Sequence, residues 1–313
     1  IAKQDPVLIN YSVGKKRYNK IPDSTDKNLL GIINQKRVTD WVPIDELPIG
    51  PNTDQPKRSH GVERAYQFLY KRALFVFAAL RKHSRSPRLY WLITAILEGS
   101  SKLNRERPNG LPSKLNGTLY ISSMVREINV LDFYERKIKR YIGANIVTGN
   151  NIISTGSCTD LSVVSENTID YIFTDPPFGS NINYSELSFA WEAWLSVKTN
   201  NEQEAIINSA QQKRLVEYQQ LMEKCFGEYY RVLKPNRWMT VEFHNSKNAV
   251  WNAIVEALLR AGFVVADVRI LDKKQGSFKQ VTTTTAVKQD LVISAYKPKE
   301  SFIRQFSERA GDP

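Results

Sequence analysis

The chain has 313 residues, is 42% hydrophobic and 24% charged, and carries a net charge of +12. That length holds one large domain or two modest ones, and the composition is that of a folded globular protein. The most apolar stretch, residues 73–80, is too short to span a bilayer and is bracketed by Lys71, Arg72, Arg81 and Lys82, which excludes a membrane-spanning reading of it.

The positive charge is local. Residues 55–110 hold 12 basic and 3 acidic side chains, whereas residues 151–313 hold 18 and 19. A polyanion such as nucleic acid is the natural partner of such a segment, because phosphate neutralisation releases counterions. A solvated basic face that binds nothing specific is an equal alternative on charge alone. Arg58, Arg64, Lys71 and Arg72 are the candidate nucleic-acid contacts of this region. Cys158 and Cys225 stand far apart and form no metal-ligand pair, so the expectation is a reduced, cytoplasmic protein without a metal or a leader.

Residues 1–54, rich in Pro, Asp, Asn and Gly, are expected to form an irregular or extended arm. The apolar spacing of Val62, Ala65, Tyr66, Leu69, Ala73, Val76, Phe77 and Leu80 predicts one long helix. Pro87 opens a second helix over about 87–100. A basic loop over 101–117, a strand-like "TLYIS" and a helix over about 130–142 complete a basic helical module, 55–145. From about 146 to 300 strands and helices alternate. Strands are expected at 168–174, 237–245, 263–271 and 290–296, and helices at about 184–196, 211–232 and 249–262. The pattern predicts an α/β fold with a mostly parallel sheet and an antiparallel last strand, followed by a tail, 301–313.

The strand "YIFT" ends in Asp175-Pro176-Pro177-Phe178-Gly179. Prolines cannot donate to a sheet ladder, so the strand stops there. The carboxyl ends of parallel strands are where open α/β sheets bind ligands. A plain strand-ending turn is the bland reading of Asp-Pro-Pro, and a core aromatic the bland reading of Phe178.

With "YYRVLKPNRWMTVEF" and "AGFVVADVRI" downstream, residues 150–297 resemble the DNA amino-methyltransferases. These enzymes use S-adenosylmethionine (SAM) to methylate the exocyclic amine of adenine or cytosine. The resemblance implies a Rossmann-like SAM-methyltransferase sheet with the basic module as a helical insertion for DNA binding or target recognition. It implies that Asp175 and the Pro176 carbonyl hold the amine, that Pro177 stiffens the turn, and that Phe178 stacks on a base flipped from the duplex. For SAM it points to Gly156, Ser157, Asp160, Asp175 and Gly179. Gly156-Ser157 lacks the acid usual at that place, with Asp160 as its substitute. Asn181, Tyr184, His244 and Asn245 are further pocket candidates, with a buried, satisfied histidine equally expected for His244. The long Thr-rich loop over 273–289 offers Lys273, Lys274, Phe278 and Lys279 to DNA, or is an ordinary hairpin tip.

Adenine-N6 is favoured over cytosine-N4, because Asp rather than Ser opens the motif. RNA or protein-glutamine methylation, and an inactive DNA-binding subunit, stay open as alternatives. Restriction–modification or phage defence is the associated biology. One expected element is absent: no two of the 15 glycines stand as Gly-x-Gly, so the family's glycine-rich SAM turn is missing. The expectation is the carboxy-terminal part of a larger bacterial methylase, its SAM site completed by an upstream segment or a partner chain.

Overall fold

The structure is a computed structural model that describes residues 4–107, 115–144, 149–245, 247–271 and 290–309. It divides into two compact units: residues 1–149 with 185–199, and residues 150–184 with 200–313. The dividing line passes through the start of one helix, Tyr184–Leu195, and not only near residue 146.

In the first unit, residues expected as an arm form a hairpin and a helix. Strands β1 (Ile9–Val13) and β2 (Lys16–Lys20) pair antiparallel around Gly14, which sits at φ +59°. Helix α1 (Ser24–Gln35) opens on a reciprocal cap between Asp23 and Asp26. Helix α2 (Pro51–His60) ends at Gly61 in the left-handed region, φ +61°.

The single long helix expected over this region is therefore not formed. After Gly61 the chain is extended at Arg64, makes a short 3-10 turn over Ala65–Phe68, and bridges Leu69 to Ser101 before helix α3 (Lys71–His83) begins. Val62, Ala65, Phe68 and Leu69 are all buried, so their spacing records burial and not helix. Helices α4 (Pro87–Ser100) and α5 (Val130–Ile142) stand where expected. "TLYIS" is not a strand. Its buried Ile121 exchanges both backbone hydrogen bonds with the Gln55 side-chain amide, at 2.9 and 3.0 Å, in place of a ladder partner.

Helix α6 (Tyr184–Leu195) supplies Phe189, Ala190, Ala193 and Trp194 to the core of this unit, with Phe68, Phe77, Ile93 and Ile96. Trp191 packs against the same cluster. Buried Glu186 of α6 accepts from the Asn52 amide at 2.9 Å, so a carboxylate lies at the N-terminus of α2.

The second unit is the α/β layer. Strand β3 (Ile169–Thr174) pairs parallel with β4 (Leu233–Phe243), and β4 pairs antiparallel with β6 (Asp290–Tyr296). β6 in turn pairs antiparallel with β5 (Val264–Leu271), giving the order β3-β4-β6-β5. Three strands run one way and the last runs back, as expected. The last strand is inserted between β4 and β5 and does not form the edge.

Helices α7 (Leu215–Val232) and α8 (Asn248–Arg260) bury Tyr218, Met222, Phe226, Ile254 and Leu258 against Met239, Val241, Phe243, Ile293 and Ala295. The opposite sheet face leaves Tyr171, Phe173 and Trp238 exposed. Residues 301–309 of the expected tail belong to helix α9 (Glu300–Arg309).

Candidate active site

Because β3 and β4 are parallel and in register at Thr174 and Val241, both end at the same sheet edge. β3 hands over to Asp175–Gly179, and β4 to His244 and Asn245. The reversed β6 starts at that edge too, so Asp290 arrives beside His244, with Nδ1 and Oδ1 2.7 Å apart.

The motif loop is held carbonyl by carbonyl. The Tyr218 hydroxyl donates to the Pro177 carbonyl at 2.7 Å, and Asn245 Nδ2 donates to the Phe178 carbonyl at 2.9 Å. The Ile207 amide donates to the Gly179 carbonyl at 3.1 Å. Among the described residues the Pro176 carbonyl accepts no hydrogen bond. Asp175 is exposed, while Pro176 is buried.

Gly179 sits at φ +67°, and a Cβ there would lie 3.2 Å from both Asn245 Nδ2 and Val250 Cγ1. Both its conformation and its surroundings call for glycine. Phe178 is half-buried and meets Phe243 edge-on at 5.4 Å, with His244 at 6.1 Å. Its ring is thus partly core, as the bland reading had it, at the rim of the site.

The pocket candidates gather here. Asn181 Nδ2 donates to the His244 carbonyl at 3.4 Å. Asn245 also accepts from the Lys247 amide at 2.8 Å, which joins the motif loop to the start of α8. Tyr184 has its phenol pKa raised, first by burial and then by the charges of Asp175 and Glu204, so it stays protonated as a donor beside the motif acid.

The segment 156–164 is fastened to α7. Glu228 accepts from the Leu161 amide at 2.7 Å, and the Arg231 guanidinium donates to the Leu161 and Val164 carbonyls at 2.7 and 2.9 Å. Arg231, with the Leu161 amide second, holds the Glu228 carboxyl down at about 2. The half-buried Tyr229 phenol lies near Cys158 and near Thr174, the last residue before Asp175. This brings 156–160 to the same sheet edge. Gly156 is exposed with open space around it. Ser157 bonds to Thr159, their hydroxyls 2.8 Å apart. The exposed Asp160 accepts from the Ser162 amide at 2.9 Å, which lowers its pKa.

The structure does not bring the basic candidates together in the same way. In the first unit Arg58 pairs with Asp54, Arg64 with Glu46 and Arg72 with Glu127. Lys71 is half-buried at the start of α3. Lys273, Lys274, Phe278 and Lys279 lie outside the described residues.

Several supports escaped the sequence reading. Tyr218 reads as an ordinary core position of a helix. Buried Lys213 donates to the Asn201 and Glu204 carbonyls, and buried Asn208 donates to Asn183 at 3.2 Å; together they shape the loop that carries Ile207. Asp290 had a usable signal. A reversed strand following a parallel one must begin at the edge where the other ends.

Residues 169–310 match the family model for N6_N4_Mtase, DNA methylase. Asp175–Gly179 lie within the matched span, at the carboxyl end of β3. No curated protein matches the chain.

Among solved structures it is similar to a protein from Thermus thermophilus assigned as a DNA modification methylase. Identity is 14%, over 46% of this chain and 51% of that one, with TM-score 0.28. A structure of that protein complexed with SAM gives 13%, 46%, 54% and 0.27 in the same order. A SAM-dependent methyltransferase from Methanosarcina mazei gives 12%, 53%, 77% and 0.30. The chain thus spans about half the length of the Thermus structures it matches.

Proposed function

We propose that this chain carries the catalytic motif of an enzyme that methylates the exocyclic amine of a DNA base, adenine-N6 in preference to cytosine-N4, with SAM as methyl donor. The observation that carries the reading is the pattern of carbonyls in the motif loop. Those of Pro177, Phe178 and Gly179 are each held by a named donor, whereas that of Pro176 accepts none among the described residues, next to the exposed Asp175. An exocyclic amine is a poor nucleophile because its lone pair is delocalised into the ring. It has two hydrogens to give, and Asp175 and the Pro176 carbonyl are two acceptors on a rigid turn. Hydrogen bonds to both make the nitrogen more tetrahedral and free its lone pair. Preorganised acceptors of this kind are a main source of catalysis. The nitrogen loses one proton as it forms its bond to carbon, and that proton leaves by the exposed Asp175 to water. Phe178 and Tyr184 would flank the base once it has left the stack.

The residues present fit part of a SAM site. Bound SAM supplies an electrophilic methyl group. Gly156, Ser157 and Asp160 lie at the motif's sheet edge, through Tyr229, on an open stretch of backbone, and Gly179 keeps the turn compact. Asp160, ionised at neutral pH, is the acceptor offered to hydroxyl groups. The remainder of the cradle would come from a further segment or chain. Among the described residues β3 pairs only with β4, so its other edge is open to a strand, beside exposed Tyr171 and Phe173.

The test is transfer of labelled methyl from SAM to duplex DNA, single-stranded DNA and RNA. Label on DNA that is lost in Asp175→Ala supports the reading. Label on RNA, or DNA binding without label, supports the RNA-methylase or inactive-subunit alternative instead.

A further inference from the structure

The first unit contains a cleft of about 610 Å³ between α3 and α4, lined by Asp40, Trp41, Arg81, Lys82 and Tyr90 among others. Arg81 is held there unusually well. Its guanidinium carbon lies 3.1 Å from the Trp41 ring centroid, so the flat cation stacks on an indole. Its Nε donates to the Tyr90 hydroxyl at 3.1 Å and its Nη2 to the Ser196 hydroxyl at 2.7 Å. The Tyr90 hydroxyl in turn donates to the Trp194 carbonyl.

None of these partners is charged. Among the described residues no carboxylate pairs with Arg81, and Nη1 has no acceptor. Asp40, the acid in the cleft, is taken by Lys82 at 2.7 Å. Arg81 thus differs from Arg58, Arg64 and Arg72, which are spent on carboxylates, and from Arg85 and Arg88, which are exposed without such support. A guanidinium fixed by stacking and neutral hydrogen bonds, with one donor edge left over, is preorganised for an oxyanion and loses little freedom on binding one.

We propose that this cleft binds a phosphodiester of DNA, with the Nη1 edge of Arg81 as the contacting group. The α3–α4 junction supplies further charge, with Arg85 and Arg88 following within one short stretch and no acid in the first turn of α4. The inference rests on the DNA reading above and moves the phosphate contact from the arginines singled out by sequence to Arg81.

The experiment is fluorescence anisotropy of a labelled duplex with the chain, from about 50 to 200 mM NaCl. Arg81→Gln, Arg81→Lys and, as control, Arg260→Gln are compared, and thermal melts establish that each variant is folded. Arg81→Gln is expected to weaken binding several-fold and to reduce the slope of log K against log salt by about 1. Arg81→Lys keeps the charge and the slope but loses affinity, because an ammonium neither stacks nor forks. Inorganic phosphate and a mononucleotide are titrated separately, with tryptophan fluorescence as readout.

A folded Arg81→Gln variant with the parent's affinity and slope overturns the site and leaves the DNA reading standing. A parent that binds no duplex at any salt overturns both. Arg81-dependent saturation by free phosphate or mononucleotide at micromolar concentration, without competition from duplex, assigns the cleft to a small anion and overturns the phosphodiester.

Discussion

The Tyr218 hydroxyl, buried in α7, donates at 2.7 Å to the carbonyl of Pro177, a residue 41 positions earlier in the chain. A helix that looks purely structural thereby fixes the peptide next to the two acceptors assigned to the amine. Tyr218→Phe keeps the ring and removes the donor. The expected cost is about 1–2 kcal/mol in urea unfolding, since a buried carbonyl loses its partner. Methyl transfer is expected to fall about 10-fold or more, because small misplacements of reacting groups are costly. Unchanged turnover in the folded variant would remove Tyr218 from the account.

Gly179 offers a sharper test of the loop. At φ +67°, with Asn245 and Val250 3.2 Å from where a Cβ would stand, alanine is strained twice over. Gly179→Ala is expected to cost about 1–3 kcal/mol and to disturb the Asn245 bond to the Phe178 carbonyl. Thermal melting and the transfer rate should both drop; a variant with the parent's melting temperature and rate would contradict the strain argument.

Lys102 makes a pH prediction. It is 5% exposed, its ammonium donates to the Gln67 carbonyl at 2.7 Å, and burial pulls its pKa from 10.5 down to about 8. The unfolded chain then holds this proton more tightly than the folded one. Below about pH 8 the folded state bears the whole cost of the buried charge. Stability from this group therefore rises as pH goes from about 8 to 10.5, by at most about 3 kcal/mol. Lys102→Met removes the effect. Urea unfolding of parent and variant should differ by a constant below pH 8 and converge or cross in the parent's favour above it. A parallel offset throughout would contradict the assignment.

The elements that frame the site were legible because they are simple. β3 and β4 are apolar stretches closed by Pro or polar residues, and α7 and α8 repeat apolar residues at helical spacing where those residues are buried. Residues 61–70 misled for the same physical reason: Val62, Ala65, Phe68 and Leu69 are buried by an extended turn and a 3-10 segment, and apolar spacing alone does not separate that from a helix. The hairpin Ile9–Lys20 was invisible as a hairpin because nearly all its residues are exposed and carry no burial pattern.

At the site, Asp175 to Gly179 could be read from chemistry. Tyr218, Lys213 and Asn208 could not, since each acts through a backbone group far away in sequence. The charge of the first unit was visible as a sum, but which arginines are already paired depends on Asp54, Glu46 and Glu127 meeting them in space.

The most direct test is labelled-methyl transfer from SAM to duplex DNA by the full-length protein and its Asp175→Ala variant, with digestion to identify the modified base. Label is expected on adenine N6, reduced at least about 100-fold in a variant that melts like the parent. Label that survives in Asp175→Ala, or no label on any DNA base, would contradict it.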